Sequence, residues 1–188
     1  KGIRSYIGAV ERAWRKDNPR ADKKALEYLE FSLMISEATL PGYFRYWVKD
    51  LKEIKWHSVE QNFALPFTLR DGRKTVLRGK RDGVFNNPKT WLFETKFKSQ
   101  INEADMVDML PFELQVMFYL YGLRRELKKT PSGVLYNVIR RAGLKQKESE
   151  NMKQFAARCV DDINTRPEWY FLRLEVSTSE KELNQFEG

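Results

Sequence analysis

The sequence predicts an α/β fold, a mixed central β-sheet that begins as an antiparallel meander and is flanked by α-helices. Three observations carry that expectation. Apolar residues recur at three- and four-residue steps in 25–50 and again in 102–129, the period of helices packed by one face. Residues 58–98 instead alternate with period two, interrupted by Asp71-Gly72 and Asn86-Asn87-Pro88. After Pro131-Ser132-Gly133 the pattern runs strand, helix, strand, and this order implies a mixed sheet covered by helices.

Each element follows from its own residues. Leu26, Leu29, Leu33, Met34, Phe44, Trp47 and Val48 predict amphipathic helices from Ala25 to Asp50, broken at Pro41-Gly42. From Ser58, Val59, Gln61, Phe63, Leu65 and Phe67 fall on one face and Glu60, Asn62 and Ala64 on the other, a strand ending near Asp71-Gly72. A second strand is expected from about Thr75 to Phe85 and a third from Thr90 to Lys98. Residues 102–129 read as a helix with Asn102 as N-cap; Glu103, Asp105 and Asp108 suit its positive end, and Lys128 and Lys129 its negative one. Val134-Leu135-Tyr136-Asn137-Val138-Ile139 is mostly apolar and reads as a strand buried on both faces. A helix from about Ser149 to Asn164 and a strand from about Trp169 to Val176 complete the order.

With 188 residues, the chain falls within the size range of one domain. The expected arrangement is one compact unit: an N-terminal helical part over 1–57, a core over 58–176 and a tail over 177–188. No apolar run approaches the ~20 residues that span a bilayer, and no segment has the layout of an export signal. The single cysteine, Cys159, can form neither an internal disulfide nor a zinc knuckle, and it cannot hold an iron-sulfur cluster alone. A reducing, cytoplasmic setting is therefore expected. The chain opens on Lys1 rather than methionine, as a piece trimmed from a larger parent protein would.

Thirty-four basic residues against twenty-six acidic ones leave a formal net charge of +8, which favours a polyanionic partner. The charge is concentrated. Residues 69–98 carry Arg70, Arg73, Lys74, Arg78, Lys80, Arg81, Lys89, Lys96 and Lys98 against three acids. Residues 123–147 carry Arg124, Arg125, Lys128, Lys129, Arg140, Arg141, Lys145 and Lys147 against Glu126 alone. A solvated basic face explains such runs as readily as nucleic acid does, so charge by itself does not decide.

The third strand holds the chemistry. Alternation puts Leu92, Glu94, Lys96 and Lys98 on one face and Trp91, Phe93, Thr95 and Phe97 on the other, where the aromatic side chains can pack on a helix. The preceding strand can bring Asp82 beside Glu94 and Lys96, so that two carboxylates and an amine converge. Hard oxygen ligands of this kind suit Mg²⁺ or Mn²⁺. Cleaving a phosphodiester requires neutralising charge on phosphate oxygens and supplying hydroxide at neutral pH, and a bound metal does both. Lys96, a compact point charge, would hold the attacking water or stabilise developing negative charge.

The segment Arg78-Gly79-Lys80-Arg81-Asp82-Gly83-Val84-Phe85, followed by Trp91-Leu92-Phe93-Glu94-Thr95-Lys96, resembles the catalytic hairpin of PD-(D/E)XK nucleases, particularly the RecB-like, phage-type exonuclease-like branch. Those proteins add a helix bearing Gln-x-x-x-Tyr. Here Gln115 and Tyr119 follow the hairpin, four apart and so on one helix face. The stretches Val59 to Pro66, Gly133 to Arg141 and Arg166 to Phe171 extend the resemblance over about Ser58 to Val176. Arg81 stands where the family's proline would be.

The resemblance implies a restriction-endonuclease-like core with metal bound by Asp82, Glu94 and the Thr95 carbonyl, Lys96 as catalytic amine, and Gln115 and Tyr119 supporting the site. Many RecB-like members add an upstream histidine. His57 reads as structural rather than ligating, and Glu60 or Glu37 is the acid expected in its place. The implied activity is that of a deoxyribonuclease, an exonuclease of recombination or repair and of phage type. A junction-resolvase-like endonuclease and a catalytically silent DNA-binding module are the alternatives. Arg81, Lys98, Arg140, Arg141 and Lys145 are the expected DNA-backbone contacts.

Overall fold

Sheet order follows chain order. A computed structural model describing residues 2–69, 71–102, 106, 109 and 113–187 places β1 (Lys55–Thr68), β2 (Lys74–Asn87), β3 (Lys89–Lys98), β4 (Gly133–Arg140) and β5 (Phe171–Ser177) side by side in one mixed sheet. The helices are α1 (Ile3–Asp17), α2 (Lys23–Tyr46), α3 (Asp50–Glu53), α4 (Leu114–Leu127), α5 (Met152–Thr165), α6 (Pro167–Tyr170) and α7 (Glu180–Glu187). The α/β class and helix-flanked mixed sheet are those the sequence predicts. Among the described residues no helix is long and apolar enough to cross a membrane.

The chain gathers into two compact units, Lys1–Val48 with Arg140–Phe171, and Lys49–Ile139 with Leu172–Gly188. The first therefore unites α1 and α2 with α5 and α6, which the sequence groups with the core at 58–176. Asp22 caps α2 by accepting the Ala25 N–H at 2.8 Å. The helix then runs through Pro41-Gly42, where the sequence predicts a break. An internal proline costs about 3 kcal/mol, but α2 buries Leu29, Met34, Ile35 and Ala38, and each large apolar side chain returns roughly 1.5–3 kcal/mol. Gly42 lets the helix close on α5: a Cβ there would lie 2.8 Å from Ile163 Cγ2. α5 opens with a capping box, Asn151 accepting the Gln154 N–H at 3.0 Å and Gln154 accepting the Asn151 N–H at 2.9 Å.

In the second unit, Leu92, Val134, Tyr136 and Val138 are fully buried against Val116, Met117 and Leu120 of α4. β4 is buried along its whole length, as its apolar run predicts. The face of β3 that meets α4 is thus the one carrying Leu92 and Glu94. The aromatic face, expected to pack on a helix, lies instead among Phe85, Leu135 and Ile54, with Trp56 edge-on to Phe93 at 5.2 Å.

The last strand begins later than expected. Pro167 begins a short turn of helix, so Trp169 and Tyr170 belong to α6 and β5 starts at Phe171. Of the predicted helix over 102–129, the Met106 N–H donates to the Asn102 carbonyl at 3.0 Å, the first helical bond an N-cap residue accepts, and α4 follows from Leu114 with Glu113 before it. The predicted first-turn acids Glu103, Asp105 and Asp108 lie outside the described residues, as does Arg70.

The β1–β2 hairpin has a kink that matters for the site. β2 pairs with β1 from Asn86 to Lys74, yet with β3 only from Asn87 to Gly83. Phe63 and Gly79 lie against Tyr119 of α4, and Arg81 reaches Glu126 of the same helix. Val84 pairs with Leu92 and so also faces α4. Odd and even positions therefore exchange faces between Arg81 and Val84. Opposite that point Glu60 adopts a left-handed φ of 53°, and Val59, expected to share the Phe63 face, is 58% exposed.

Candidate active site

Asp82 sits where β2 leaves β3. Its Oδ2 accepts the Thr95 backbone N–H at 2.8 Å, a donor that a continued ladder would give to the β2 backbone. One residue back on β3, Glu94 is 2% exposed. Its Oε1 accepts from Lys96 Nζ at 2.7 Å, as period two allows for neighbours on one strand face. Lys96 Nζ also donates to Gln115 Oε1 at 2.7 Å, and Gln115 Nε2 donates to Tyr119 Oη at 3.2 Å, one helical turn along α4. Asp82, Glu94, Lys96, Gln115 and Tyr119 are thus brought together.

The electrostatics follow from burial. Desolvation pushes the Glu94 carboxyl above its usual range, the Lys96 amine opposes the rise, and the charges of Asp82 and Glu113 add to it. Burial likewise raises the Tyr136 hydroxyl, reinforced by Glu113 and Glu94. On the opposite face of β3, Asn137 Nδ2 donates to Thr95 Oγ1 at 3.3 Å, Arg173 Nε donates to Asn137 Oδ1 at 3.1 Å, and Arg173 Nη1 donates to Asp50 Oδ1 at 2.9 Å. This chain holds the residue between Glu94 and Lys96 from behind.

The sequence pattern of the PD-(D/E)XK nuclease superfamily matches residues 3–185. The chain belongs to that superfamily. PD-(D/E)XK proteins are nucleases, so their substrates are nucleic acids, and they generally use divalent metals. No curated protein matches the sequence. Among solved structures the chain is similar to one titled "Crystal structure of SSO0001", at 15% identity and a TM-score of 0.30; the match covers 72% of this chain and 65% of that one.

The residues fit a divalent metal of the PD-(D/E)XK kind. Glu94 Oε2 is buried without a hydrogen-bond partner, and an unsatisfied carboxylate oxygen near a second carboxylate is a donor set that a hard cation satisfies. Among the described residues no group of three or more His, Cys, Asp and Glu side chains is arranged to hold a metal. The protein ligands would then be Asp82, Glu94 and the Thr95 carbonyl, a small set of the kind Mg²⁺ accepts while keeping waters.

His57, expected to be structural, is exposed at the point where the β1–β2 register shifts between Trp56 and Ser58. Of the two acids expected in place of a histidine ligand, Glu60 forms an ion pair with Lys80. Glu37 is an exposed residue of α2 beside a cavity of about 220 Å³ in the first unit, lined also by Arg4, Met34 and Val160.

Two expected DNA contacts are interior residues. Arg81 is 1% exposed, paired with Glu126 and stacked on Phe63 at 4.7 Å. Arg140 is 7% exposed, donates from Nε to the Trp169 carbonyl at 2.9 Å and stacks on the Trp169 ring at 3.7 Å. Neither has an open face for a phosphate, which corrects the role expected of them. Lys98 lies over the Tyr136 ring at 5.8 Å; Arg141 and Lys145 are exposed. Sequence reasoning missed Glu113, Tyr136 and Asn137. Glu113 was hidden because a continuous helix over 102–129 makes it an interior helical position, whereas it stands at the N-cap of α4, two residues before Gln115.

Proposed function

We propose that this PD-(D/E)XK protein is a Mg²⁺- or Mn²⁺-dependent deoxyribonuclease of the RecB-like branch, an exonuclease acting in recombination or repair. The observation that carries the reading is the Lys96 amine held between buried Glu94 and Gln115, with a free Glu94 oxygen beside it and Asp82 nearby. The ion pair with Lys96 occupies only Glu94 Oε1 and leaves Oε2 for a further ligand. The Gln115-x-x-x-Tyr119 contact with Lys96 supports the branch. A divalent cation would supply charge neutralisation for the phosphate and make hydroxide accessible at neutral pH. Asp82 and Glu94 would hold it, and Asp82 is itself fixed by the Thr95 N–H. Lys96, aimed by Gln115, would hold the attacking water by hydrogen bonding and stabilise negative charge on the phosphate oxygens.

Linear and covalently closed circular duplex DNA are incubated with Mg²⁺ and wild type, Glu94→Gln or Lys96→Ala, with folding of each verified by circular dichroism. The expected result is digestion of the linear form by wild type and a loss of about 10²–10³ in both variants, the scale of removing one group that stabilises transition-state charge. A closed circle that is spared supports the exonuclease, and a nicked or cut one replaces it with the endonuclease reading. Equal cleavage by all three proteins would remove the proposed centre.

A further inference from the structure

The β1–β2 hairpin continues past its partner as a two-stranded ribbon, pairing down to Thr68↔Lys74 while β3 joins β2 only as far as Gly83. Beyond the kink at Glu60, one face of the ribbon is closed by α4. Phe63 packs on Phe118 at 5.5 Å and Phe67 edge-on to Tyr121 at 6.1 Å. Alternation then leaves Lys74, Val76, Arg78 and Lys80 on the other face of β2, all exposed, and Asn62, Ala64, Pro66 and Thr68 beside them on β1. The charge on this face is one-sided. Beyond Glu60, which pairs with Lys80, β1 contributes no charged side chain there, so the cations stand in a single row along β2 beside the small residues of β1.

The partners of these cations separate them. Lys80 is engaged by Glu60. Arg73, at the turn, is engaged by Asp71, Nε to Oδ2 at 2.7 Å. Lys74 and Arg78 have no ion pair or side-chain hydrogen bond among the described residues. At a rise of about 3.3 Å per residue they stand roughly 13 Å apart on one strand, and Asp82 follows four residues after Arg78 on that strand. Two exposed cations without a polar partner, aligned on one strand face whose other charges are the mutually paired Lys80 and Glu60, suit a linear polyanion.

We infer that the open face of the β1–β2 ribbon is a track for the phosphate backbone of the nucleic acid, held by Lys74 and Arg78 without reading sequence. This rests on the nuclease reading above and adds the surface that would hold the strand outside the catalytic centre. Both side chains are exposed and unpaired, so their removal leaves the fold intact.

Binding of short fluorescein-labelled duplex and single-stranded oligonucleotides is measured by anisotropy in Ca²⁺, over about 50–200 mM salt, for wild type, the Lys74→Ala/Arg78→Ala double variant and Arg73→Ala. The double variant should bind roughly 10- to 100-fold more weakly at low salt, and its slope of log K against log salt should shrink by about 1.8 on duplex or about 1.4 on single strands, two phosphate contacts' worth. Arg73→Ala, whose charge is already neutralised, should change neither by more than a small fraction. If wild type binds and the double variant matches it in affinity and slope, the track is wrong while the nuclease reading stands. If Arg73→Ala weakens binding as much per residue as the double variant, the attraction is diffuse and the track is again wrong. If wild type binds no nucleic acid in either form, the nuclease reading falls and the track with it.

Discussion

The Lys96 ammonium lies 2.7 Å from the Gln115 side-chain oxygen, a contact that joins β3 to the first turn of α4. Gln115 is in turn linked to Tyr119, so the direction in which the amine points is set from the helix as well as from Glu94.

Gln115→Ala removes one of the two acceptors of Lys96 and lets the amine turn wholly to Glu94. A hydrogen bond to a charged group contributes about 1.5–3 kcal/mol, so kcat should fall roughly tenfold or more with KM little changed. Tyr119→Phe, one step removed, should cost only a few-fold. Lys96→Arg should not restore activity to Lys96→Ala, because a planar fork cannot occupy the position of a compact point charge. Steady-state kinetics on a labelled oligonucleotide check all four; full activity in Gln115→Ala would mean that the contact does not aim the amine.

Glu94→Gln should stabilise the metal-free protein at neutral pH. The buried Glu94 carboxyl titrates above its ordinary 4.5, so between that value and its folded pKa the native state holds a proton that the unfolded chain has released. Wild-type stability therefore falls as pH rises through this window and is recovered as pH drops below it. The carboxamide has no such dependence. Mg²⁺ should reverse the order: at 100 times its Kd a ligand contributes about 2.7 kcal/mol, a Tm rise of roughly 5–10 °C for a chain of this length, and the variant should show little of it. Thermal melts in EDTA and in Mg²⁺ decide. A wild type more stable than Glu94→Gln in EDTA at neutral pH would contradict the burial cost.

The kinked ribbon should respond to small changes at two positions. A Cβ at Gly79 would lie 2.7 Å from Phe63 Cε1 and 2.9 Å from Tyr119 Cε1, so Gly79→Ala should destabilise by about 1–3 kcal/mol as the ribbon is pushed away from Tyr119 of α4. Glu60→Gly relieves a left-handed backbone costing about 1 kcal/mol and loses an exposed ion pair with Lys80 worth no more than about that. Its net effect should lie near zero, whereas Glu60→Val should cost about 1–2 kcal/mol. Urea denaturation measures the three.

Acid should loosen the loop before α5 in a residue-specific way. Arg158, with the Lys147 backbone N–H, holds the Glu150 carboxyl down to about 2. Between that value and 4.5 the unfolded chain binds a proton that the native one refuses, so the stabilisation is complete above 4.5 and fades as pH falls toward 2. Arg158→Ala should return the Glu150 titration toward the ordinary range and flatten this part of the acid limb. Carboxyl-carbon NMR follows the titration directly; an unmoved Glu150 curve in Arg158→Ala would assign the depression to the Lys147 N–H alone.

How far the fold was legible in the sequence depended on whether a feature is local. Alternation predicted β3 and the shared face of Glu94 and Lys96, because strand geometry alone dictates it. The four-residue step of Gln115 and Tyr119 predicted their contact for the same reason. The continuation of α2 through Pro41-Gly42 was not legible, since it depends on Ile163 and Phe171, more than a hundred residues away. The face exchange at Asp82 was hidden because a left-handed glutamate at 60 carries no glycine signature. Charge runs were the weakest guide: Arg81 and Arg140 count equally with Lys74 and Arg78 in a sequence, and only burial separates an arginine inside the protein from one at its surface.

β1 stands at the end of the sheet order and is fourteen residues long. An outer strand of that length invites a neighbouring molecule to add itself, hydrogen bond by hydrogen bond, into an aggregate. Three departures from regular geometry interrupt the template at intervals: the register shift at Trp56/Ser58, the left-handed Glu60, and Pro66, which has no N–H to offer. The bend that frees Asp82 from the ladder thus also breaks the regularity of the outermost strand, the feature an added strand would need.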